Sequence, residues 1–288
     1  MTPDLAHRER LLPFVGPHLE RRRAGIKHPI HDFLFTYYSY RPAQLLRWRP
    51  PGGLDAARRP LAAAILTILK ATAGRQGNYG CFGLHEWAMV YREPNTRHPQ
   101  PLRLGHQGTD EVVEVHRLGC SHWDAVRFFT PSSLPLNTLR PASDDRADFE
   151  QPACLHTNMD LYKHAYRLAT VVGSDLIADA FELAWDVRIM DMRAAPYDLT
   201  GISIDPYGIE WTPIKVETTE GKREYADLQR QFSERAAPIR AHLIDVLTEA
   251  FPPHELAGVG HRSVRATAVG HDEDTTRADT TRERQLRR

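Results

Sequence analysis

The chain has 288 residues, of which 41% are hydrophobic and 26% charged, and its 37 basic side chains balance 37 acidic ones. This composition is ordinary for a globular protein with an apolar core. The zero net charge gives no support to a nucleic-acid partner, because binding phosphates requires a concentrated basic surface. No apolar run approaches the roughly 18 to 20 residues of a membrane span, and charges fill the N-terminal stretch in which a secretion signal would be apolar. We therefore expect a cytoplasmic protein with no membrane partner.

Hydrophobic periodicity and turn residues predict a series of helices. Two have clear ends, because Gly74 stops an apolar helix and Ser174, followed by Asp175, is a favourable N-terminal cap. Pro13 and Pro17 are expected to interrupt the first helix. The predicted helices are residues 5–24, a helix that begins at residue 29, and residues 61–73, 124–129, 152–170, 174–193 and 221–251.

Two short strands complete the predicted fold. Residues 102–104 and 112–118 alternate enough between polar and apolar side chains to be strands. After Pro253 the apolar content is too low to offset the entropy that the chain would lose on ordering. We therefore predict a mainly α protein with a small β element (α+β), with a single helical domain over residues 1–253 and a disordered tail over residues 254–288.

The cysteines and the runs of basic residues are less informative. Cys81, Cys120 and Cys154 are an odd number at wide spacings, so we expect no disulfide framework and interpret each as a small buried hydrophobic residue. Basic runs occur at residues 21–27 and 282–288. Such runs more often keep an exposed helix face or a tail soluble than bind a partner.

The segment CLHTNMDLYKHAYRL places His156, Asp160 and His164 four residues apart. On a helix these side chains lie along one face, which can bind a metal ion or form a general acid/base pair. An exposed polar stripe opposite the apolar Leu155 and Met159 explains the same spacing. From this segment alone the two interpretations stay open.

Further pairs of histidine and carboxylate residues recur along the chain. His85 and Glu86 follow a glycine-rich turn in GCFGLHEWAMVYR, and His122 and Asp124 lie where a predicted strand meets a helix in CSHWDAVRFF. Other groups are HPIHDF, from residue 28, and DMRAAPYD, from residue 191. A single such pair is usually structural, but the recurrence favours one converging polar site. Dinucleotide, nucleoside-triphosphate and esterase motifs do not occur.

Several longer segments carry a family resemblance. They are HPIHDFLFTYYSYRPAQLLRW, GCFGLHEWAMVYR, CSHWDAVRFFTP, LNTLRP, EQPACLHTNMDLYKHAYRL and DMRAAPYDL. They resemble a family of actinobacterial proteins commonly labelled 3-methyladenine DNA glycosylase, over about residues 28–247. The chain departs from the family pattern in a shortened linker around residues 50–60, which could remove part of the active-site rim, and in an added tail after Pro253.

The resemblance implies hydrolysis of the N-glycosidic bond of an alkylated purine in DNA, without a cofactor. Such an enzyme stacks a flipped-out base between aromatic side chains and needs a carboxylate to activate water or stabilise the sugar cation. The usual helix-hairpin-helix signature is reduced to a weak match at residues 256–266. The candidate catalytic residues are Glu86, Asp124, Asp160, His122 and His156, and the candidate substrate-binding residues are Trp87, Trp123, Arg127, Lys163, Arg193, Tyr197 and Asp198.

Two alternatives do not depend on the family label. A metal-dependent helical enzyme would bind divalent iron, zinc or manganese through imidazole and carboxylate groups. A non-catalytic binding protein would keep the same groups as a buried polar network. The candidate metal ligands are His85, Glu86, His122, His156, Asp160 and His164.

Overall fold

The computed structural model describes residues 2–205 and 207–251, and helices account for most of them. In chain order the α-helices are α1 (Pro3–Arg23), α2 (Phe33–Thr36), α3 (Pro42–Leu45), α4 (Arg59–Ala73), α5 (Leu84–Ala88), α6 (Gly105–Val115), α7 (Trp123–Val126), α8 (Arg146–Phe149), α9 (Leu155–Arg167), α10 (Ala169–Val172), α11 (Ser174–Ala194) and α12 (Thr219–Glu249). Two 3-10 helices, Ala56–Arg58 and Leu134–Leu136, lie between them. The prediction of a mainly α protein is confirmed.

Helices α9 and α11 form the centre of the fold. They pack against each other, α12 packs on both, α4 packs on α12, and α1 contacts α11. One hydrophobic core extends from Leu11 in α1 to Phe251 after α12. Because each fully buried large apolar side chain stabilises the folded state by about 1.5–3 kcal/mol, this shared core fixes the central helices relative to one another.

Helix α1 runs without a break through Pro13 and Pro17, so the predicted interruption is wrong. A proline removes one backbone N–H donor from the helix. The carbonyl groups that lose their partners here belong to Glu9 and Pro13, and both residues are exposed. Water can bind these carbonyl oxygens, so the helix tolerates both prolines.

The two predicted strands are also wrong. Residues 112–115 belong to α6, in which the buried Thr109, Val112 and Val113 have the i, i+3, i+4 spacing of a helix face. Within residues 2–205 and 207–251, β structure is limited to isolated bridges. They join Leu102 to Tyr197, Leu118 to Asn137, and Ser203 to Glu210.

In the described ranges no helix combines the length and the apolar character that crossing a bilayer requires. The predicted tail at residues 254–288 and the weak helix-hairpin-helix match at residues 256–266 lie outside the described residues.

Candidate active site

A cavity of about 170 Å³ lies where α2, α5, α7, α9 and α11 approach one another. The residues that line it are Phe33, Tyr37, Glu86, Met89, Arg97, His98, Asp124, Phe128, His156 and Arg188. Three predicted catalytic residues, Glu86, Asp124 and His156, thus come from distant segments and share one cavity.

A tight turn directs His85 and Glu86 into the interior. Gly83 has a φ of 68°, in the left-handed region that favours glycine. A Cβ atom added there would lie 3.1 Å from Cε2 of Tyr225. The turn begins α5, a helix of five residues that are all buried. The glycine in the sequence GCFGLHEW is therefore what brings these two ionisable side chains into the core.

Four buried ionisable residues, His85, Glu86, Arg188 and Asp191, form a group that we call the inner cluster. His85 Nε2 lies 3.0 Å from Asp191 Oδ1. Arg188 Nη1 donates to Asp191 Oδ2 at 2.7 Å and to Glu86 Oε1 at 3.2 Å. Each buried charge therefore has an opposite charge beside it, which compensates for its removal from water.

The environment shifts the pKa values in the inner cluster in different directions. Burial and the charge of Asp191 raise the pKa of Glu86. Burial also acts to raise the pKa of Asp191, but His85 and Arg188 outweigh it and lower that pKa. Burial acts to lower the pKa of His85, but Asp191 outweighs it and raises that pKa. An ionised Asp191 beside a protonated His85 is therefore the favoured state of the pair.

His156 lies between the inner cluster and a second group of charges. Its ring meets that of His85 edge to face with centroids 4.4 Å apart, and its centroid is 5.3 Å from that of His122. Burial, together with the charge of His85, lowers the pKa of His156 to about 3. The imidazole of His156 is therefore neutral near pH 7, and it forms no hydrogen bond with any residue in the described ranges.

His85, His156 and Asp191 also form a potential metal-binding group. One ligand atom from each lies within 4.8 Å of the other two. Two imidazoles and one carboxylate are a ligand set that suits iron and zinc. Of the predicted metal ligands, only His85 and His156 join this group, and Asp191 completes it.

The second group, the outer cluster, comprises Asp124, Arg146, Glu150, Asp160 and Lys163. Arg146 Nη2 donates to Asp160 Oδ2 at 2.6 Å. Lys163 Nζ donates to the same oxygen at 3.2 Å and to Asp124 Oδ2 at 2.7 Å. Arg146 also pairs with Glu150. The two cations thus join three carboxylates that come from α7, α9 and the residue after α8.

Asp160 is the most strongly held carboxylate of the outer cluster. The Tyr38 O–H donates to Asp160 Oδ1 at 3.2 Å. His122 Nε2 lies 3.4 Å from Asp160 Oδ2. Burial acts to raise the pKa of Asp160, but Lys163 and the His122 hydrogen bond outweigh it and hold that pKa well below the usual value. Both oxygens are occupied and the residue is only 2% exposed, so Asp160 supports the site rather than facing the cavity.

The predicted stacking residues do not line the cavity, and this corrects the sequence interpretation. Trp87 is fully buried, and its indole N–H donates to the Ala194 carbonyl oxygen at 2.9 Å. Trp123 is half-buried and lies outside the cavity wall. The aromatic walls are instead Phe33, Tyr37 and Phe128. Of these three, the sequence motifs predict only Phe128 as an apolar wall residue.

Arg127 and Lys163 both form ion pairs with Asp124, which lines the cavity. Arg127 Nε is 3.4 Å from Asp124 Oδ1, and its guanidinium lies 4.4 Å from the Phe128 ring centroid. The ammonium group of Lys163 already pairs with two carboxylates, those of Asp124 and Asp160. Of these two predicted substrate-binding residues, only Arg127 is exposed.

The remaining predicted site residues do not line the cavity, although the ring of Tyr197 packs behind its wall, 4.9 Å from the ring of His98. Arg193 pairs with Glu224, Asp198 is bonded to Thr200 next to it, and Tyr197 packs in the second, smaller apolar cluster. His164 is buried in α9, and burial lowers its pKa to about 3. The face of α9 that carries His156, Asp160 and His164 is therefore buried, so an exposed polar stripe is excluded.

Sequence reasoning missed three arginines and one histidine of the site. Arg146 and Arg188 hold the carboxylates of the two clusters, and Arg97 and His98 line the cavity. Arg188 lies three residues before Asp191 on the apolar α11. A charged residue at a buried position of a helix is a signal that could have identified it.

The three thiols lie on the other side of the two histidines. Cys81, Cys120 and Cys154 line a small cavity together with His85 and His156. None forms a disulfide, and burial raises the pKa of each thiol. They therefore stay protonated and form a weakly polar wall. Cys154 is buried as the sequence predicts, whereas Cys81 and Cys120 are only half-buried.

Compared with protein-family models, with curated proteins and with solved structures, the chain matches none.

Proposed function

We propose that the protein is a hydrolase that cleaves the N-glycosidic bond of an alkylated purine, such as 3-methyladenine, in DNA. The observation that carries this proposal is that Glu86 and Asp124 line the same aromatic-walled cavity. Hydrolysis of a glycosidic bond commonly uses two carboxyl groups around the scissile bond. The family resemblance of the sequence motifs points to the same reaction.

The size and walls of the cavity suit one planar ring system. Its volume of about 170 Å³ is below the roughly 300–1,000 Å³ of pockets that enclose drug-sized ligands. Phe33, Tyr37 and Phe128 offer aromatic surfaces to a base that has left the helical stack. A whole nucleotide is larger than this space, which favours a base inserted from a polymer.

The two carboxyl groups have different roles in this proposal. Lys163 and the other cations of the outer cluster keep Asp124 ionised: burial acts to raise its pKa, but Lys163 outweighs burial and lowers it. An anion at this position stabilises the positive charge that develops on the sugar and orients the attacking water. Glu86, at the cavity wall on α5, is assigned the role of general acid, which donates a proton to the departing purine.

Release of free base from alkylated DNA tests the proposal. The wild-type protein, treated with a chelator, should release 3-methyladenine, and Asp124→Asn and Glu86→Gln should each reduce the rate at least about 100-fold, the scale of one positioned acid or base. Asp245→Asn, which alters an exposed carboxylate on α12 outside the cavity, is the matched control. No release by folded wild-type protein, or equal rates in all variants, would refute the proposal.

A second candidate function, a metal-dependent enzyme, is favoured by one specific observation. His85, His156 and Asp191 converge, and His156 has no hydrogen-bond partner among the described residues. Binding of iron, zinc or manganese would displace the proton that His85 and Asp191 share. Metal analysis of the purified protein separates the two candidates. Stoichiometric metal that is lost in His156→Ala but kept in His164→Ala would favour the metal-dependent enzyme.

A further inference from the structure

A groove of about 670 Å³ runs between α1 and α3. Four arginines line it, two from α1 and two that flank α3: Arg8, Arg22, Arg41 and Arg47. One acidic residue, Asp4, lies in the same wall, and its carboxylate accepts a hydrogen bond from the Trp48 backbone N–H at 3.3 Å. The groove is therefore strongly cationic although the chain as a whole is neutral.

The guanidinium groups of this groove have no internal partners. Within the described part of the chain, none of the four forms an ion pair or a side-chain hydrogen bond. Other exposed arginines do form ion pairs: Arg10 binds Glu182 at 2.7 Å and Arg235 binds Asp186 at 2.7 Å. Gathering unpaired like charges is unfavourable, and an anionic ligand would relieve this repulsion.

The length of the groove indicates an extended ligand. Arg8 and Arg22 are fourteen residues apart on one helix, which at 1.5 Å per residue corresponds to about 21 Å. A nucleic-acid strand rises about 3.4 Å per nucleotide, so this distance spans roughly six nucleotides. A single phosphate ion cannot contact both ends of the groove, whereas a phosphodiester chain can.

Residues that line the groove and the cavity are close together in the sequence. Tyr37 lines the cavity and Arg41 lines the groove. Four residues span at most about 14 Å even when fully extended. The backbone of Arg41 therefore lies within about 14 Å of the backbone of Tyr37, which places one end of the groove near the cavity wall.

We infer that this arginine groove binds the phosphodiester backbone of a DNA strand and is the surface that presents a base to the cavity. The choice of DNA over another polyanion rests on the proposed function. The contacts are to phosphate groups, so they position the strand and carry no sequence preference. Arg22 belongs to the basic run at residues 21–27, which would otherwise serve only solubility.

Salt-dependent binding of the full chain to an undamaged, fluorescein-labelled single-stranded DNA of twelve nucleotides tests this inference. Fluorescence anisotropy is measured between 50 and 200 mM NaCl. Each phosphate contact on a single strand contributes about 0.7 to the slope of log K against log salt and about fourfold in affinity near 0.15 M. The triple variant Arg22→Ala/Arg41→Ala/Arg47→Ala should therefore bind about 50-fold more weakly, with a slope reduced by about 2.

The matched control removes three exposed cations from α4, the loop before α12 and α12 itself: Lys70→Ala/Lys215→Ala/Arg223→Ala. This control variant has the same net charge as the groove variant and should keep wild-type affinity within about threefold. Circular dichroism spectra of both variants check that each is folded. Equal affinities of the two triple variants would overturn the inference, as would wild-type protein that binds phosphatidylserine vesicles but not DNA.

The outcomes for the groove and for the enzyme are separable. Undamaged DNA offers no base to remove, so binding is measured without catalysis. Loss of DNA binding only in the groove variant, with no base release from alkylated DNA, would support the groove and refute the hydrolase. Base release from alkylated DNA, with unchanged DNA binding by the groove variant, would support the hydrolase and refute the groove.

Discussion

His85 Nε2 and Asp191 Oδ1 lie 3.0 Å apart although 106 residues separate them in the chain. The pair closes the inner cluster at the junction of α5 and α11. Because both groups are buried, neither charge could stay in the core without the other. The position of the cavity wall thus depends on interior charges as well as on apolar packing.

Removal of the Asp160 charge should destabilise the protein strongly. Asp160→Asn leaves Arg146 and Lys163 without their shared partner, and breaking a buried ion pair costs about 3–5 kcal/mol. Urea unfolding at pH 7 measures the change. Asp245→Asn, which alters an exposed carboxylate on α12, should change the free energy of unfolding by less than about 0.5 kcal/mol. Equal effects of the two substitutions would contradict the role assigned to Asp160.

Acid should destabilise the protein well before its carboxylates titrate. Burial lowers the pKa of His31 and of His164 to about 3 each. The unfolded chain takes up these protons near pH 6.5, so stability falls as the pH drops from about 6.5 towards 3. Between pH 7 and 5.5 the two histidines together should cost about 2–3 kcal/mol.

Urea titrations at both pH values check this loss. His31→Gln should reduce the difference between them by about 1 kcal/mol, which is the share of the loss that His31 contributes. His106→Gln, which replaces an exposed histidine, should leave the difference unchanged. The pKa values of His98 and His156 are also lowered, to about 4 and about 3, so part of the pH dependence remains in His31→Gln/His164→Gln. A pH dependence in this double variant equal to that of the wild type would contradict the prediction.

Gly83 should tolerate alanine much less well than Gly25. Both have φ near +69° (68° and 69°), but an added Cβ meets Tyr225 at 3.1 Å at Gly83 and nothing within 4 Å at Gly25. Gly25→Ala should cost about 1 kcal/mol of backbone strain. Gly83→Ala should cost at least about 1 kcal/mol more, because the neighbouring ring must shift. Thermal or urea unfolding of the two variants gives the difference directly.

Trp87 and Phe128 should respond in opposite ways. Trp87→Phe leaves the Ala194 carbonyl oxygen unpaired in the core and should cost about 1–3 kcal/mol of stability. Phe128→Ala should change stability little but reduce kcat/KM for base release about 5- to 150-fold, the range of 1–3 kcal/mol for one stacked base. Steady-state kinetics and urea unfolding of both variants test this. The reverse pattern would restore Trp87 as the stacking residue.

Local sequence signals were sufficient for the long helices. α4, α11 and α12 each begin and end within two residues of the predicted bounds, because their apolar stripes are long and Gly74 marks an end. The strand predicted at residues 112–118 failed because adjacent valines suggested a strand, whereas their true partner in burial is Thr109, one helical turn earlier. Over a stretch so short the two periods are hard to separate.

The candidate site was only partly predictable. The histidines and carboxylates stood out because they recur beside one another, and Glu86, Asp124 and His156 do meet in space. Their cationic partners could not be assigned, since the pairing of Arg146 with Asp160 or of Arg188 with Glu86 depends on how the helices pack. The choice among aromatic walls depends on the same packing, which explains why Trp87 was misassigned.

His156 contacts the ring of His85, in the inner cluster, and the ring of His122, which lies 3.4 Å from Asp160 of the outer cluster. Effects of substitutions in the two clusters should therefore be non-additive, since residues that share a contacting partner couple by about 0.5–3 kcal/mol. A double-mutant cycle that pairs a change at Glu86 with one at Asp160 would reveal this coupling, and removal of the imidazole between them should abolish it. Coupling of this kind would carry an electrostatic change from one cluster to the other through the imidazole of His156.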